Sequence, residues 1–261
     1  MKLLAYDTSS ETLSAALFDG PKKIAELESP AFTRHSSVLV PTLEKLLKVH
    51  GMPLNRIDVL AVGLGPGSFT GLRVGITAAK IFSYASPMKV IGVSSLEAMA
   101  LGAGDFDGEI AVILYARKEK LYAAIFRVQN KELKVVRSPR LVKIDALLKG
   151  IKRPRLFLGD GVKIYRDQIL KTDRCRIAES AESARPKASH IAERAIVLAK
   201  RKKWSNPFSL EPSYLHPRDC NVTVRRTYGA RRHQVSRAQS SREGAAQHRR
   251  GIYESAGRVA R

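Results

Sequence analysis

A chain of 261 residues, 44% apolar and 7% aromatic, can bury one large core or two smaller ones. No stretch approaches the roughly 20 apolar residues that cross a bilayer, and Asp7 arrives too early for the apolar region of a signal peptide. These features, with two cysteines (Cys175 and Cys220) outside any C-x-x-C spacing, predict a cytoplasmic protein without a disulfide framework or thiolate metal site. The net charge of +22 favours polyanions such as nucleic acids through a salt-sensitive attraction that does not read sequence. A merely solvated basic surface is the alternative.

In chain order, Lys2–Asp7, Thr12–Phe18 and Lys22–Glu28 read as three short strands separated by turn chemistry. A helix follows over Ser36–His50, with Val38, Leu39, Leu43, Leu46 and Leu47 at helical spacing. Pro41 suits only the start of a helix, which suggests that the true start lies there. Ile57–Leu64 reads as a buried strand, Gly71–Ala85 as a helix and Val90–Val93 as a strand. Ser95–Leu101 is a further helix capped by Ser94 or Ser95. After a loop at Gly102–Gly108, strands are predicted at Glu109–Tyr115, Leu121–Val128 and Glu132–Arg137, then a short helix over Ile144–Lys149. A strand at Arg155–Leu158 leads into Gly-Asp-Gly, and Ser189–Lys202 is an amphipathic helix with Ile191, Ala195, Ile196, Leu198 and Ala199 on its apolar stripe. Two strand-rich halves of similar order imply a duplicated α/β architecture, with halves at 1–104 and 105–223 and the 189–202 helix able to pack back on the first. From Val224 onward the basic residues are ten Arg and no Lys, and Leu, Phe, Met and Trp are missing. Residues 224–261 therefore read as a disordered or foreign tail, with a native RNA-binding arm as the alternative.

Two segments carry candidate chemistry. Ala5-Tyr6-Asp7-Thr8-Ser9-Ser10 puts a carboxylate and hydroxyls at the end of a strand, which suits either phosphate oxygens or plain turn capping. Asp7, Thr8 and Ser9 are accordingly candidate nucleotide contacts. Gly63–Gly75, G-L-G-P-G-S-F-T-G-L-R-V-G, forces a sharp turn after a buried strand, and Ser68 and Thr70 can cap the next helix. The segment has neither a P-loop ending nor the dinucleotide spacing of glycines. Gly71, Gly75 and Ala79 recur every four residues as a small-residue strip, at a cost of about 1 kcal/mol per glycine relative to alanine. Close approach of another backbone compensates such a strip, and that backbone belongs either to a partner or to the same chain. Leu72, Ile76 and Phe82 add apolar area, and Arg73 and Lys80 form a basic edge.

The motifs M-x-L-L-A-Y-D-T-S, H-S-x-x-L-V-P-T-L-E-K-L-L, G-P-G-S-F-T-G-L-R-V-G-I-T-A-A-K and I-G-V-S-S-L together resemble the TsaB (YeaZ) family over about residues 1–220. Gly-Asp-Gly at Gly159–Gly161 and Glu211-Pro212-Ser213-Tyr214-Leu215 fit the same family. The resemblance implies an actin/hexokinase-like fold of two ribonuclease-H-like halves. It also implies a subunit without catalysis of its own, acting beside the paralogous TsaD and the ATPase TsaE in threonylcarbamoyl transfer to the adenosine next to the tRNA anticodon. Family pairing runs through helices of the first half, so Ser68, Phe69, Thr70, Gly71, Leu72, Arg73, Gly75, Ile76 and Ala79 are the candidate partner interface, with homodimerisation through the same strip as a further candidate. ATP or ADP, if involved, would then sit at the shared interface. Where many relatives carry Asp-Ala-Arg, this chain has Tyr115-Ala116-Arg117.

No two of the six histidines lie three to five residues apart, so a paired-histidine metal site is not expected, and His35 reads as a polar residue entering its helix. Ser68 has no identifiable base. An autonomous ATP-dependent kinase or hydrolase of the same fold and a general RNA-binding protein are the alternative functions.

Overall fold

In the computed structural model, residues 1–31, 34–130, 132–178, 180 and 184–215 are described, all within one compact unit. The 224–261 tail lies outside them. Strands β1 (Lys2–Asp7), β2 (Thr12–Asp19) and β3 (Lys22–Pro30) form an antiparallel meander, and β4 (Val59–Gly63) and β5 (Lys89–Val93) add parallel to β1. The sheet order is β3-β2-β1-β4-β5. Helix α1 (His35–Val49) connects β3 to β4, α2 (Phe69–Ala85) connects β4 to β5, and α3 (Ser95–Gly102) follows. The pattern then repeats with β6 (Glu109–Tyr115), β7 (Leu121–Gln129), β8 (Glu132–Val142), α4 (Asp145–Leu148), β9 (Arg155–Leu158), α5 (Val162–Leu170), β10 (Cys175–Ile177) and α6 (Ala188–Lys200). The second sheet runs β10-β9-β6-β7-β8 with the same antiparallel and parallel senses. Two copies of one five-strand plan make the duplicated, actin/hexokinase-like architecture of two ribonuclease-H-like halves.

The period of two along each strand sends alternate side chains to opposite layers. Leu4, Tyr6, Leu60 and Val62 face α1 and α2, while Leu3, Ala5, Val59 and Ala61 face α6. Because both faces are covered, β1 and β4 are apolar at nearly every position. Ala188, Ala192, Ala195 and Ala199 keep α6 close to the first sheet, with Ile191 among them. Helix α3 crosses the other way: Leu96, Met99 and Ala100 pack on Ile110, Val112, Ala124 and Phe126 of the second sheet. Each half thus lends a helix to the other, and Arg194 of α6 donates to Glu97 of α3 at 2.7 Å.

Four local differences from the sequence reading have physical reasons. Helix α1 starts at His35 and carries Pro41 in its interior. Pro41 and Ser37, whose carbonyl loses its donor, both lie on the solvent side, while His35, Leu39, Leu43 and Leu46 hold the helix down. Helix α5 and strand β10 escape the periodicity. Only Val162 and Ile169 of α5 are buried, Ile164 and Leu170 are exposed, and Tyr165 breaks the helical geometry. Strand β10 has three residues at a sheet edge. Strand β8 runs on to Val142 through two irregularities in its pairing with β7.

Candidate functional site

Strand β1 delivers Asp7 into the floor beneath the Gly63–Gly75 segment. Its Oδ1 accepts from the Ser9 amide at 2.7 Å and the Ser9 hydroxyl at 2.6 Å, and Oδ2 accepts from the Ser95 hydroxyl at 2.6 Å. Ser95 Oγ in turn accepts from the Gly65 amide at 3.0 Å, and the Ser95 amide donates to the Gly65 carbonyl at 3.0 Å. The expected capping role for Ser94 or Ser95 is therefore replaced: neither side chain caps α3, and Ser95 ties Asp7 to the glycine turn. Burial pushes the Asp7 carboxyl up, against the lowering effect of the Ser9 and Ser95 hydrogen bonds and the charge of His35.

Above this floor α2 begins with Ser68, whose hydroxyl accepts from the Gly71 amide at 3.2 Å, as a cap should. Thr70 sits inside the first turn and is no cap. The Ser68 amide donates to the Ser9 carbonyl at 2.7 Å, and the Tyr6 hydroxyl donates to the Gly75 carbonyl at 2.8 Å. A Cβ at Gly71 would run into the Thr8 carbonyl, one at Gly75 into Thr8 Oγ1, and one at Gly67 into the Ser9 carbonyl. The small-residue strip thus packs on the chain's own β1 turn, one of the two neighbours that its spacing allows. Gly71, Leu72, Gly75, Ile76 and Ala79 are all buried inside the first half. The same contacts enclose the candidate nucleotide residues. Asp7, Thr8 and Ser9 are buried beneath α2, and both Asp7 oxygens accept hydrogen bonds from within the chain.

Phe69, Thr70 and Arg73 of the named interface do reach solvent. The Arg73 guanidinium lies 4.0 Å over the Phe69 ring and its Nε donates to the Tyr214 hydroxyl at 3.1 Å. The Phe69 and Tyr214 rings are 5.6 Å apart. This cluster is held by a strap after α6: the Ser213 amide donates to the Leu64 carbonyl, Leu210 is buried, and Lys80 Nζ donates to the Phe208 carbonyl at 3.3 Å. The roles of Tyr214 and Ser95 were not readable from the sequence, although both sit in motifs singled out there.

Along the outward side of α2, Ile81 is 60% and Tyr84 86% exposed, and Val40 of α1 is 50% exposed. An apolar groove of about 360 Å³ runs between the two helices past Leu39, Val40, Val74 and Ile81. A second, of about 670 Å³, opens beside it between Leu43, Leu47, Met52, Leu54 and Phe82. A two-helix face with exposed apolar side chains and grooves of this size can receive another helix.

In the second half, Asp160 of Gly-Asp-Gly accepts from the Tyr115 amide at 2.7 Å, and Tyr115 is exposed. Burial raises the Asp160 carboxyl, and the Glu11 charge adds to the effect. His35, read as a polar entry residue, is instead buried at the start of α1, its Nε2 without a partner among the described residues. Among the described residues no three His, Cys, Asp or Glu side chains gather as a metal site would need, and no helix is long and apolar enough to cross a membrane.

A sequence model of the TsaD family, "tRNA N6-adenosine threonylcarbamoyltransferase", matches residues 29–211. The chain is 32% identical over 219 residues to the "tRNA threonylcarbamoyladenosine biosynthesis protein TsaB" of Bacillus subtilis, covering 82% of this chain and 94% of that protein. It is 27% identical to the protein of the same name from Haemophilus influenzae, covering 82% and 93%. The solved structure of YeaZ from Pseudomonas aeruginosa superposes with a TM-score of 0.71 at 25% identity, over 82% of this chain and 99% of that one.

Proposed function

The chain belongs to the TsaB family and carries a TsaD-type domain, and from that premise we propose that it is a non-catalytic subunit in the making of threonylcarbamoyladenosine in tRNA. It docks on the TsaD-type transferase, works with the TsaE-type ATPase, and meets tRNA through the complex in the cytoplasm. Any nucleotide belongs to the shared interface, and without its partner the chain pairs with a second copy through the same face.

The observation that carries this reading is the α1/α2 surface, where Val40, Ile81 and Tyr84 stand out around two apolar grooves. Phe69, Arg73 and Tyr214 extend it with the aromatic and arginine chemistry of interface anchors. The internal satisfaction of Asp7 supports a subunit role over autonomous phosphoryl chemistry, which would need that carboxylate free.

The test is a double substitution, Val40→Glu with Ile81→Glu, at two half-exposed positions whose change leaves the core intact. Binding to the TsaD-type partner is expected to weaken by about a hundredfold or more, and tRNA modification by the reconstituted subunits to fall with it. Unchanged binding and modification would remove the α1/α2 face from the interface.

A further inference from the structure

We propose that the segment closing α6, Lys200-Arg201-Lys202-Lys203-Trp204, is the surface through which this subunit holds RNA, its cations on phosphates and its indole stacked on an unpaired base. The proposal rests on the reading of the chain as a tRNA-modification subunit and adds to it a contact surface on this chain.

All four cations are exposed, and Trp204, the single tryptophan of the chain, is 41% exposed. Of these cations, Arg201 has a carboxylate in reach, Glu132 at 3.9 Å, and both of those groups are largely in water. A helix C-terminus favours cations, but the effect fades within the last turn. It accounts for Lys200 and Arg201, and not for Lys202, Lys203 or the ring beyond them. Lys202 also holds φ at +54°, a position where helices usually place glycine or asparagine. A lysine stands there at some cost to the backbone.

Trp204 is held on both sides. The Lys203 amide donates to the Leu198 carbonyl at 2.9 Å. On the other side the Ser205 amide donates to Val90 at 2.8 Å, and Ser205 Oγ accepts from the Gly92 amide at 3.0 Å. The backbone on either side of the ring is therefore anchored to α6 and β5. An exposed aromatic face on an anchored stretch of backbone, flanked by cations, suits splayed-out RNA bases and their phosphates. An acidic protein surface would use the cations and leave the ring without a role. Helix α6 covers the sheet face opposite α1 and α2, so this surface and the proposed docking face can be engaged together.

Because Trp204 is the sole tryptophan, its emission reports on this site even where RNA touches the chain elsewhere. Titration of the full chain with unmodified tRNA is expected to quench that emission saturably, while heparin, a polyanion without bases, leaves it nearly unchanged. In the Lys202→Glu/Lys203→Glu variant, the quenching curve should shift about tenfold or more to higher tRNA, with a salt slope shallower by about 1.4. Its melting midpoint should match the wild type, since both side chains are in solvent. The Val40→Glu/Ile81→Glu variant keeps the quenching, which separates this site from the docking face. Binding of tRNA with no change in emission, equal quenching by heparin, or an unshifted curve in the lysine variant would each overturn the proposal. So would loss of the TsaD-type partner from the lysine variant with tRNA binding intact, since the patch would then be a protein contact.

Discussion

At the residue scale, two glycines and an aspartate show how much of the Gly63–Gly75 motif is internal. Alanine normally improves a helix over glycine by about 1 kcal/mol. At Gly71 the added methyl meets the Thr8 carbonyl, part of a backbone pinned under α2, and Gly71→Ala should destabilise by more than about 2 kcal/mol. At Gly75 it meets a threonine hydroxyl, a softer obstacle. Thr8→Ala should therefore rescue Gly75→Ala and not Gly71→Ala, a difference that a double-mutant cycle on melting curves reads directly. Equal rescue of both would mean that α2 can slide away from β1. Asp7 makes a different prediction. Its raised carboxyl binds the proton more tightly folded than unfolded, so its contribution is full at low pH and is lost as pH climbs through the folded value. Asp7→Asn keeps the Oδ1 acceptor for Ser9 and removes the buried charge. The variant should gain stability relative to wild type as pH rises above the ordinary aspartate range of about 4, and a parallel pH dependence of the two melting midpoints would refute the buried-charge account.

At the element scale, β1 and β4 were legible because burial on both faces leaves continuous apolar runs, as in Leu3–Tyr6 and Val59–Val62. Helix α6 was legible because its Ile191–Ala199 stripe faces a sheet. Helix α5 was not, since two buried positions in nine residues make no period. The α2 strip shows a subtler limit. Its spacing states that some backbone comes close, but spacing along one helix cannot say which backbone, and the answer lay in Thr8, more than sixty residues earlier. The bonds that finish the site are equally remote. Ser95 reaches Asp7 across 88 positions and Arg73 reaches Tyr214 across 141. Local pattern carries no trace of such pairs, so the exposed cluster of Phe69, Arg73 and Tyr214 takes shape only in the fold. The cations at the end of α6 are plain in the sequence as charge, but it is the backbone bonds of Lys203 and Ser205 to Leu198 and Val90 that set the chain around Trp204 beside them.

At the scale of the whole molecule, the exchange of helices between halves decides how the protein unfolds. Ile191 is wholly buried against the first sheet, among Leu3, Ala16, Val59 and Ile91. Ile191→Ala should cost about 2–5 kcal/mol through lost burial and the cavity left behind. Taken as isolated layers, the two sheets would confine that loss to the first. Yet α6 is bonded to α3 through Arg194 and Glu97, and α3 forms the wall of the second core over Ile110 and Phe126. Loosening α6 therefore strips support from both sheets in turn. Native-state hydrogen exchange should show the amides of β1 and of β7 losing protection by the same factor in the variant. Loss confined to β1, with β7 unchanged, would mean that the halves unfold separately and that the exchanged helices are surface packing. Equal loss would make the second half a support for the α1/α2 docking face, because the sheet beneath that face would stand or fall with the whole chain.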